Sequence, residues 1–303
     1  MKIDLDQSSR TGEIVSARPV DGSIRQAPRH LTSREYRPAG TVVNIDGVKV
    51  GLTELVVMAG PCSVESAEQM LRIAHEVKAA GATVLRGGAF KPRTSPYDFQ
   101  GLGKAGLEHL RAASRETGLK VVTEVMDPRE VELVAGYADC LQIGSRNMQN
   151  YPLLNEVGMS SKPALLKRGL AASYKEFLLA AEYIMAQGNE QVILCERGIR
   201  GLSNELRFTL DLNAVPYLKE RTHLPVIVDP SHGTGSAHLV PAMSLAAIAC
   251  GADGIIVEAH YSPADSISDA AQTISTADFA DLMKDIAAVA EAVGRKVHLP
   301  MVR

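Results

Sequence analysis

From residue 55 onward, short runs rich in β-branched and other apolar residues alternate eight times with longer amphipathic stretches, and that rhythm limits the chain to few architectures. The runs are LVVMAG (55–60), ATVLRG (82–87), KVVTEV (120–125), ADCLQIG (138–144), PALLKR (163–168), QVILCE (191–196), PVIVDP (225–230) and DGIIVEA (253–259). Each is short and almost continuously apolar, as a strand buried on both faces must be. Helical periodicity follows in AEQMLRIAHEVKAAG (67–81), GLEHLRAASRETG (106–118), SYKEFLLAAEYIMAQG (173–188), AMSLAAIACG (242–251) and TADFADLMKDIAAVAEAVG (276–294), each closing on or near glycine. Eight strand–helix units in succession predict an α/β fold of the (β/α)8 TIM-barrel type, which spends ~250 residues as one domain. A doubly wound sheet is the alternative. It would use fewer strands and carry a glycine fingerprint after the first, whereas this chain has Gly60-Pro61-Cys62 there.

What lies outside the rhythm is short. Residues 1–40 are polar and without period and read as an N-terminal tail. TVVNIDGVKV (41–50) flanks the turn dipeptide Asp46-Gly47 with valines and isoleucine, so 41–51 reads as a β-hairpin too small to stand alone, sealing the bottom of the barrel. The barrel is expected over 52–295 and a tail over 296–303. A net charge of -3, a pI near 6.3, 4% aromatic residues and no Trp give no field and no stacking platform for nucleic acid. Cys62, Cys140, Cys195 and Cys250 show no CxxC spacing, and no apolar run reaches the ~20 residues of a membrane span. With no secretory h-region in MKIDLDQSSR, the expectation is a cytoplasmic protein without a membrane partner.

In a barrel, chemistry collects where strands end and loops begin. Cys62 follows the first strand. The second ends in Arg86 and opens into GGAFKPRTSP, whose Lys91, Arg93, Thr94 and Ser95 suit the oxygens of a phosphate. Glu124 closes the third strand, and the fourth leads to Gly144, Ser145 and Arg146. Lys167 and Arg168 end the fifth, Glu196 and Arg197 the sixth, Asp229-Pro230-Ser231-His232 the seventh. The eighth ends in Glu258 and His260, with Asp269 beyond. All eight ends are polar or ionisable. Cys62, His232, Glu258 and Asp269 are ligand types for a first-row divalent ion, although their wide spacing makes no motif and each has an ordinary structural role available. The cations exceed what one phosphate needs, so two anionic groups are expected. Lys167 could instead form a Schiff base, a role that nearby carboxylates would oppose.

Taken together, AGPCSVES (59–66), RGGAFKPRTSPYDFQGLG (86–103), TEVMDP (123–128), QIGSRNMQN (142–150), LLKRG (165–169), ILCERGIR (193–200), IVDPSHGTG (227–235) and GADGIIVEAH (251–260) resemble the 3-deoxy-D-arabino-heptulosonate 7-phosphate (DAHP) synthases, in their short type I branch related to the 3-deoxy-octulosonate 8-phosphate synthases. The resemblance runs in order from about residue 30 to 295, and KPRTSP favours the heptulosonate enzymes. It implies a condensation of phosphoenolpyruvate with erythrose 4-phosphate that needs one divalent ion (Mn²⁺, Fe²⁺, Co²⁺ or Zn²⁺), at the head of aromatic amino-acid synthesis. It implies Cys62, His232, Glu258 and Asp269 as metal ligands, and Arg86, Lys91, Ser145, Arg146, Lys167 and Arg197 as the phosphoenolpyruvate site, with Glu124 beside it. Arg93, Thr94 and Ser95 then hold the aldose phosphate, Asp229 falls near the aldehyde, and Lys91, Glu124, His232 and Asp229 are the catalytic candidates.

The same resemblance implies a homodimer or homotetramer and allows a chorismate mutase partner. Relatives under feedback control add a ferredoxin-like or chorismate mutase domain, for which the stretches flanking this barrel are too short, so no built-in allostery is expected. Ser236-Ala237-His238, Tyr261 and the Arg200–Asn204 loop depart from the family pattern. A sister synthase acting on arabinose 5-phosphate and a non-catalytic phosphometabolite-binding barrel are the alternatives.

Overall fold

The structure, a computed structural model, describes residues 30–51, 53–202 and 205–300. The hairpin comes first: β1 (Val43–Ile45) and β2 (Val48–Val50) pair antiparallel across Asp46 and Gly47, whose φ angles of 44° and 103° define a two-residue turn of the primed kind. Eight parallel strands follow, namely β3 (Glu54–Gly60), β4 (Val84–Arg86), β5 (Lys120–Glu124), β6 (Cys140–Ile143), β7 (Ala164–Lys167), β8 (Val192–Glu196), β9 (Val226–Val228) and β10 (Gly254–His260). Each pairs with its successor, and β10 returns to pair with β3, so the expected (β/α)8 barrel is closed.

Eight helices fill the crossovers: α1 (Ala67–Ala80), α2 (Lys104–Thr117), α3 (Val131–Ala135), α4 (Tyr151–Met159), α5 (Tyr174–Met185), α6 (Ala214–Arg221), then, past a single extra turn α7 (Pro230–Thr234), α8 (Val240–Ala249) and α9 (Thr276–Ala292). Two short strands flank the barrel sheet, β11 (Ile274–Ser275) beside β10 and, within the stretch expected as a tail, β12 (Lys296–Val297) beside β3. Among the described residues no helix is long and apolar enough to cross a membrane.

Strand periodicity divides the apolar residues into two cores. Leu55, Val57, Leu85, Leu141, Leu166, Leu194, Val226 and Val257 point outward under the helices, and Val56, Met58, Val84, Val122, Cys140, Leu165, Ile193, Cys195, Ile227 and Ile256 fill the barrel lumen. The hairpin's Val43, Ile45, Val48 and Val50 join the lumen cluster, so β1–β2 is the plug of the lower end. Cys140 and Cys195 are lumen packing, and all four cysteines are free.

Residues 30–40, part of the stretch read from sequence as tail, dock against the chain together with Thr41. The Glu182 carboxylate on α5 accepts from Leu31 N (2.6 Å) and Thr32 N (3.0 Å), Ser33 bridges antiparallel to Thr222, and Arg37 pairs with Glu190. His223 joins Thr41 Oγ1 and Leu31 O through its two ring nitrogens, both at 2.6 Å. The remainder of that stretch, residues 1–29, lies outside the described residues.

Candidate active site

The upper ends of the strands meet in a cavity of about 170 Å3 whose lining carries seven cationic side chains, Arg86, Lys91, Arg93, Arg146, Lys167, Arg197 and Arg207, against the carboxylates Asp98, Glu124 and Asp269. Successive residues of a strand face opposite ways, which separates neighbours that sequence could not. Lys167 faces the cavity, whereas Arg168 turns under the helices to Glu196 (2.8 Å) and Asp211 (3.0 Å). Glu196 therefore serves Arg168, and the next residue, Arg197, enters the cavity. His260 also turns away, accepting from Ser262 N at its Nδ1 (2.9 Å) and stacking on Tyr261.

Cys62 Sγ and one carboxylate oxygen each of Glu258 and Asp269 lie within 4.8 Å of one another, a spread that suits three ligands of one ion. His232 Nε2 adds a fourth donor, 3.5 Å from Glu258 Oε1 and 3.9 Å from Asp269 Oδ2. The expected set is thus brought together from strand β10, the turn α7 and two loops, and its mixed sulfur, nitrogen and oxygen donors fit a borderline divalent ion.

Local structure aims these groups. Asp229 caps α7, accepting from His232 N through Oδ1 (2.9 Å), while Oδ2 meets His232 Nδ1 (2.8 Å) and the Lys167 ammonium. The ring is thereby turned to present Nε2 to the donor cluster. Gly88 leaves room for Lys91, since a Cβ there would come within 2.6 Å of Lys91 Cδ and 2.9 Å of Cys62 O. Lys91 Nζ reaches Cys62 Sγ at 2.9 Å. Asp269 holds the left-handed conformation (φ 52°) that an aspartate tolerates better than most residues.

Burial pushes the Cys62 thiol up to about 12 despite Lys91, and the thiol donates to Asp269 Oδ2 (3.3 Å). Burial also works against ionised Asp229, but His232 and Lys167 overcome it and hold that carboxyl well below the usual range. Asp269, opposed by burial in the same way, is held to about 2, chiefly by His232 and Lys91.

The other half of the cavity is built for anions. Arg197 is 4% exposed, its guanidinium lies 4.0 Å over the Phe208 ring, and it makes no ion pair among the described residues. Burial lowers its pKa, with Asp229 as the main opposing charge. A buried guanidinium without a carboxylate is costly unless a ligand supplies the counter-charge. Glu124 accepts from Gln142 Nε2 at 3.1 Å with one oxygen; the other is enclosed with no partner, beside Gly144, where a Cβ would collide with the carboxylate. Ser145 and Arg146 complete this side, while Arg93, 3.5 Å from Asp98, and Thr94 line the cavity from the KPRTSP loop.

Not every expected residue lies on the cavity: Cys62 and Glu258 are buried behind its lining. Ser95 is absent from the lining and accepts from Tyr97 N. Asp229, expected near an aldehyde, sits 1% exposed behind Lys167 and His232. Ala237 and His238 border a groove against α9, remote from the lining, and Tyr261 sits under Arg72 on the barrel's outer side. Conversely, Gln142, Arg207 and Phe208 on the lining, and Gln272 behind it, escaped sequence reasoning. A polar residue one place before a strand end (Gln142) and an arginine in a loop after a strand (Arg207) were the available signals.

The family model described as the DAHP synthetase I family matches residues 39–293. A curated relative, phospho-2-dehydro-3-deoxyheptonate aldolase of Thermotoga maritima, is 49% identical over 271 residues, covering 89% of this chain and 80% of the relative. A 2-dehydro-3-deoxyphosphooctonate aldolase of Acidithiobacillus ferrooxidans is 30% identical over 257 residues, covering 78% and 90%. The crystal structure of the Thermotoga maritima DAHP synthase superposes with a TM-score of 0.87 at 48% identity, covering 90% of this chain and 80% of that one. A truncated form of the Thermotoga maritima synthase gives 0.83 at 46% identity, covering 88% and 98%.

Proposed function

The chain belongs to the DAHP synthetase I family, and from that premise we propose that it condenses phosphoenolpyruvate with erythrose 4-phosphate and water to DAHP and inorganic phosphate, using one divalent ion. The observation that carries the reading is the pairing, at one cavity, of a Cys–His–Glu–Asp donor cluster that reaches the lining through His232 and Asp269 with a buried arginine that has no carboxylate partner among the described residues. Cys62, His232, Glu258 and Asp269 would hold the ion, which supplies Lewis-acid polarisation of the aldehyde.

The rest is done by the chain's own groups. Arg197, Lys167, Arg146 and Ser145 surround the end of the cavity that would take phosphoenolpyruvate, where fixed cations stabilise charge without reorganising. Arg93 and Thr94 stand where the phosphate of the aldose can be gripped, leaving its aldehyde toward the donor cluster. As carbon 3 of phosphoenolpyruvate attacks the aldehyde carbon, Lys91 Nζ is placed to deliver a proton to the developing alkoxide. Water adds at carbon 2, the unpartnered oxygen of Glu124 is available to receive its proton, and the C–O bond to phosphate breaks. Asp229 acts through Lys167 and His232 and touches no substrate in this scheme. A Schiff base at Lys167 is the less favoured reading, because its Nζ is engaged in a buried ion pair with the Asp229 carboxylate.

The test is phosphate release from phosphoenolpyruvate with erythrose 4-phosphate or arabinose 5-phosphate, in EDTA and after restoring Mn²⁺, Fe²⁺, Co²⁺ or Zn²⁺. Release with the four-carbon sugar and only with metal is expected. Release with the five-carbon sugar would move the chain to the octulosonate branch, undiminished release in EDTA would remove the metal, and none with either sugar would leave a binding barrel.

A further inference from the structure

Each of the two carboxylates in the donor cluster has one oxygen turned toward it and one turned away. Glu258 Oε1 faces Arg86 (2.8 Å) and His232 (3.5 Å), and Asp269 Oδ2 faces Cys62 (3.3 Å) and His232 (3.9 Å). The outward oxygens are both held, and by two residues that hold each other. Gln272 Nε2 donates to Glu258 Oε2 at 2.6 Å, Arg207 Nη1 donates to Asp269 Oδ1 at 3.3 Å, and the same Nη1 donates to Gln272 Oε1 at 2.9 Å.

The side-chain chemistry suits the link. A neutral amide can accept from a guanidinium with its oxygen while donating to a carboxylate with its nitrogen, and the two partners fix which way it points. Gln272 is 2% exposed, so its bond to Glu258 is shielded from competing water. Arg207 is 41% exposed at its side chain and lines the cavity, with its guanidinium 5.4 Å from the Phe208 ring centroid.

We propose that Gln272 and Arg207 form a positioning clamp for the metal, fixing which oxygen of Glu258 and of Asp269 is presented to it. The clamp rests on the reading of Cys62, His232, Glu258 and Asp269 as the metal site. Neither residue touches the ion in this arrangement. Each instead removes the rotational freedom of a ligand, and loss of such outer partners typically costs 10–100-fold in metal affinity.

The experiment measures Mn²⁺ dissociation constants by calorimetry on metal-stripped protein without substrate, for the native chain, Cys62→Ala, Gln272→Met and Arg207→Met, beside the melting temperatures of the stripped proteins. Gln272→Met keeps length and volume but has no donor; Arg207→Met changes a partly exposed side chain and carries the test should the first fail to fold. A rise of about 10-fold to 100-fold in the dissociation constant of the Met variants, with stripped melting temperatures unchanged, is expected. Native affinity in both Met variants, with binding lost in Cys62→Ala, overturns the clamp and leaves the metal site standing. A rise only in parallel with a lowered stripped melting temperature would make the pair structural and also overturn it. No binding by the native chain, or native binding in Cys62→Ala, removes the proposed metal site and the clamp with it.

Discussion

The two ends of this barrel are built from the same eight strands and obey opposite rules. At the lower end, Val43, Ile45, Val48 and Val50 close the lumen, and the docked residues 30–41 satisfy their polar groups in pairs such as Leu31 N with Glu182 and His223 with Thr41. At the upper end a buried arginine lacks a carboxylate and a carboxylate oxygen has no donor among the described residues. The lower end leaves only a hydroxyl, Thr83 Oγ1, buried without a partner among the described residues, whereas the upper end leaves charged groups unmet. The contrast teaches that unmet charge at the upper end is held in place by stability drawn from elsewhere, as expected where strain and desolvation are part of function.

Substitutions can pull the two ends apart. Arg197→Ala should lower kcat/KM for phosphate release by about 10²–10³-fold, the scale for one preorganised electrostatic group. Because a buried charge without a carboxylate is being removed, its melting temperature should hold or rise. A large fall in melting temperature would mean that Arg197 is structural. Ile45→Ala, in the plug, should do the reverse, costing about 2–5 kcal/mol in denaturant unfolding while leaving kcat/KM unchanged. A comparable loss of activity would show that the ends are coupled through the lumen.

Gly47→Ala tests the hairpin turn itself. At φ 103° a side chain is strained, and a cost of about 1–2 kcal/mol is expected in the same unfolding measurement. The smallest effect should be at His223, whose pKa burial lowers below its unfolded value of 6.5. A depressed folded pKa means that the unfolded chain takes up the proton first, so the stabilisation is complete above pH 6.5 and fades as pH falls through 6.5 toward the folded pKa. Amide exchange at Leu31 and Thr32, corrected for intrinsic rates, should therefore quicken between pH 7.5 and 5 in the native chain and lose that extra acceleration in His223→Gln. An equal pH response in both would disconnect the ring from the docked segment.

Much of the upper end was legible before folding was known, because the polar residues at strand ends sit within one or two places of an apolar run that marks them. What the glycines do shows only in the structure, where any side chain at Gly88 or Gly144 would collide with Lys91 or Glu124. What escaped was of two kinds. Arg207 and Gln272 lie in loops with no apolar frame, and their partners Asp269 and Glu258 are distant in sequence from at least one of them. Asp229 was found but placed too far forward, since a residue at a strand end can lie behind the cavity and act through neighbours.

By itself the sequence determined the barrel and the hairpin turn. The eightfold alternation of short apolar runs with helical patterns admits little else, and Asp46-Gly47 between valines and isoleucine dictates its own turn. Residue pattern alone did not separate Lys167 from Arg168 or Arg197 from Glu196; the family resemblance singled out Lys167 and Arg197, and only the tertiary structure shows why they enter the cavity, because side-chain direction depends on the register of each strand against the barrel axis. It also decided that Cys62 meets Asp269 across 207 residues of chain. Loops from opposite ends of a sequence become neighbours only when the last strand, β10, pairs with the first of the barrel, β3, and that closure is a property of the whole sheet.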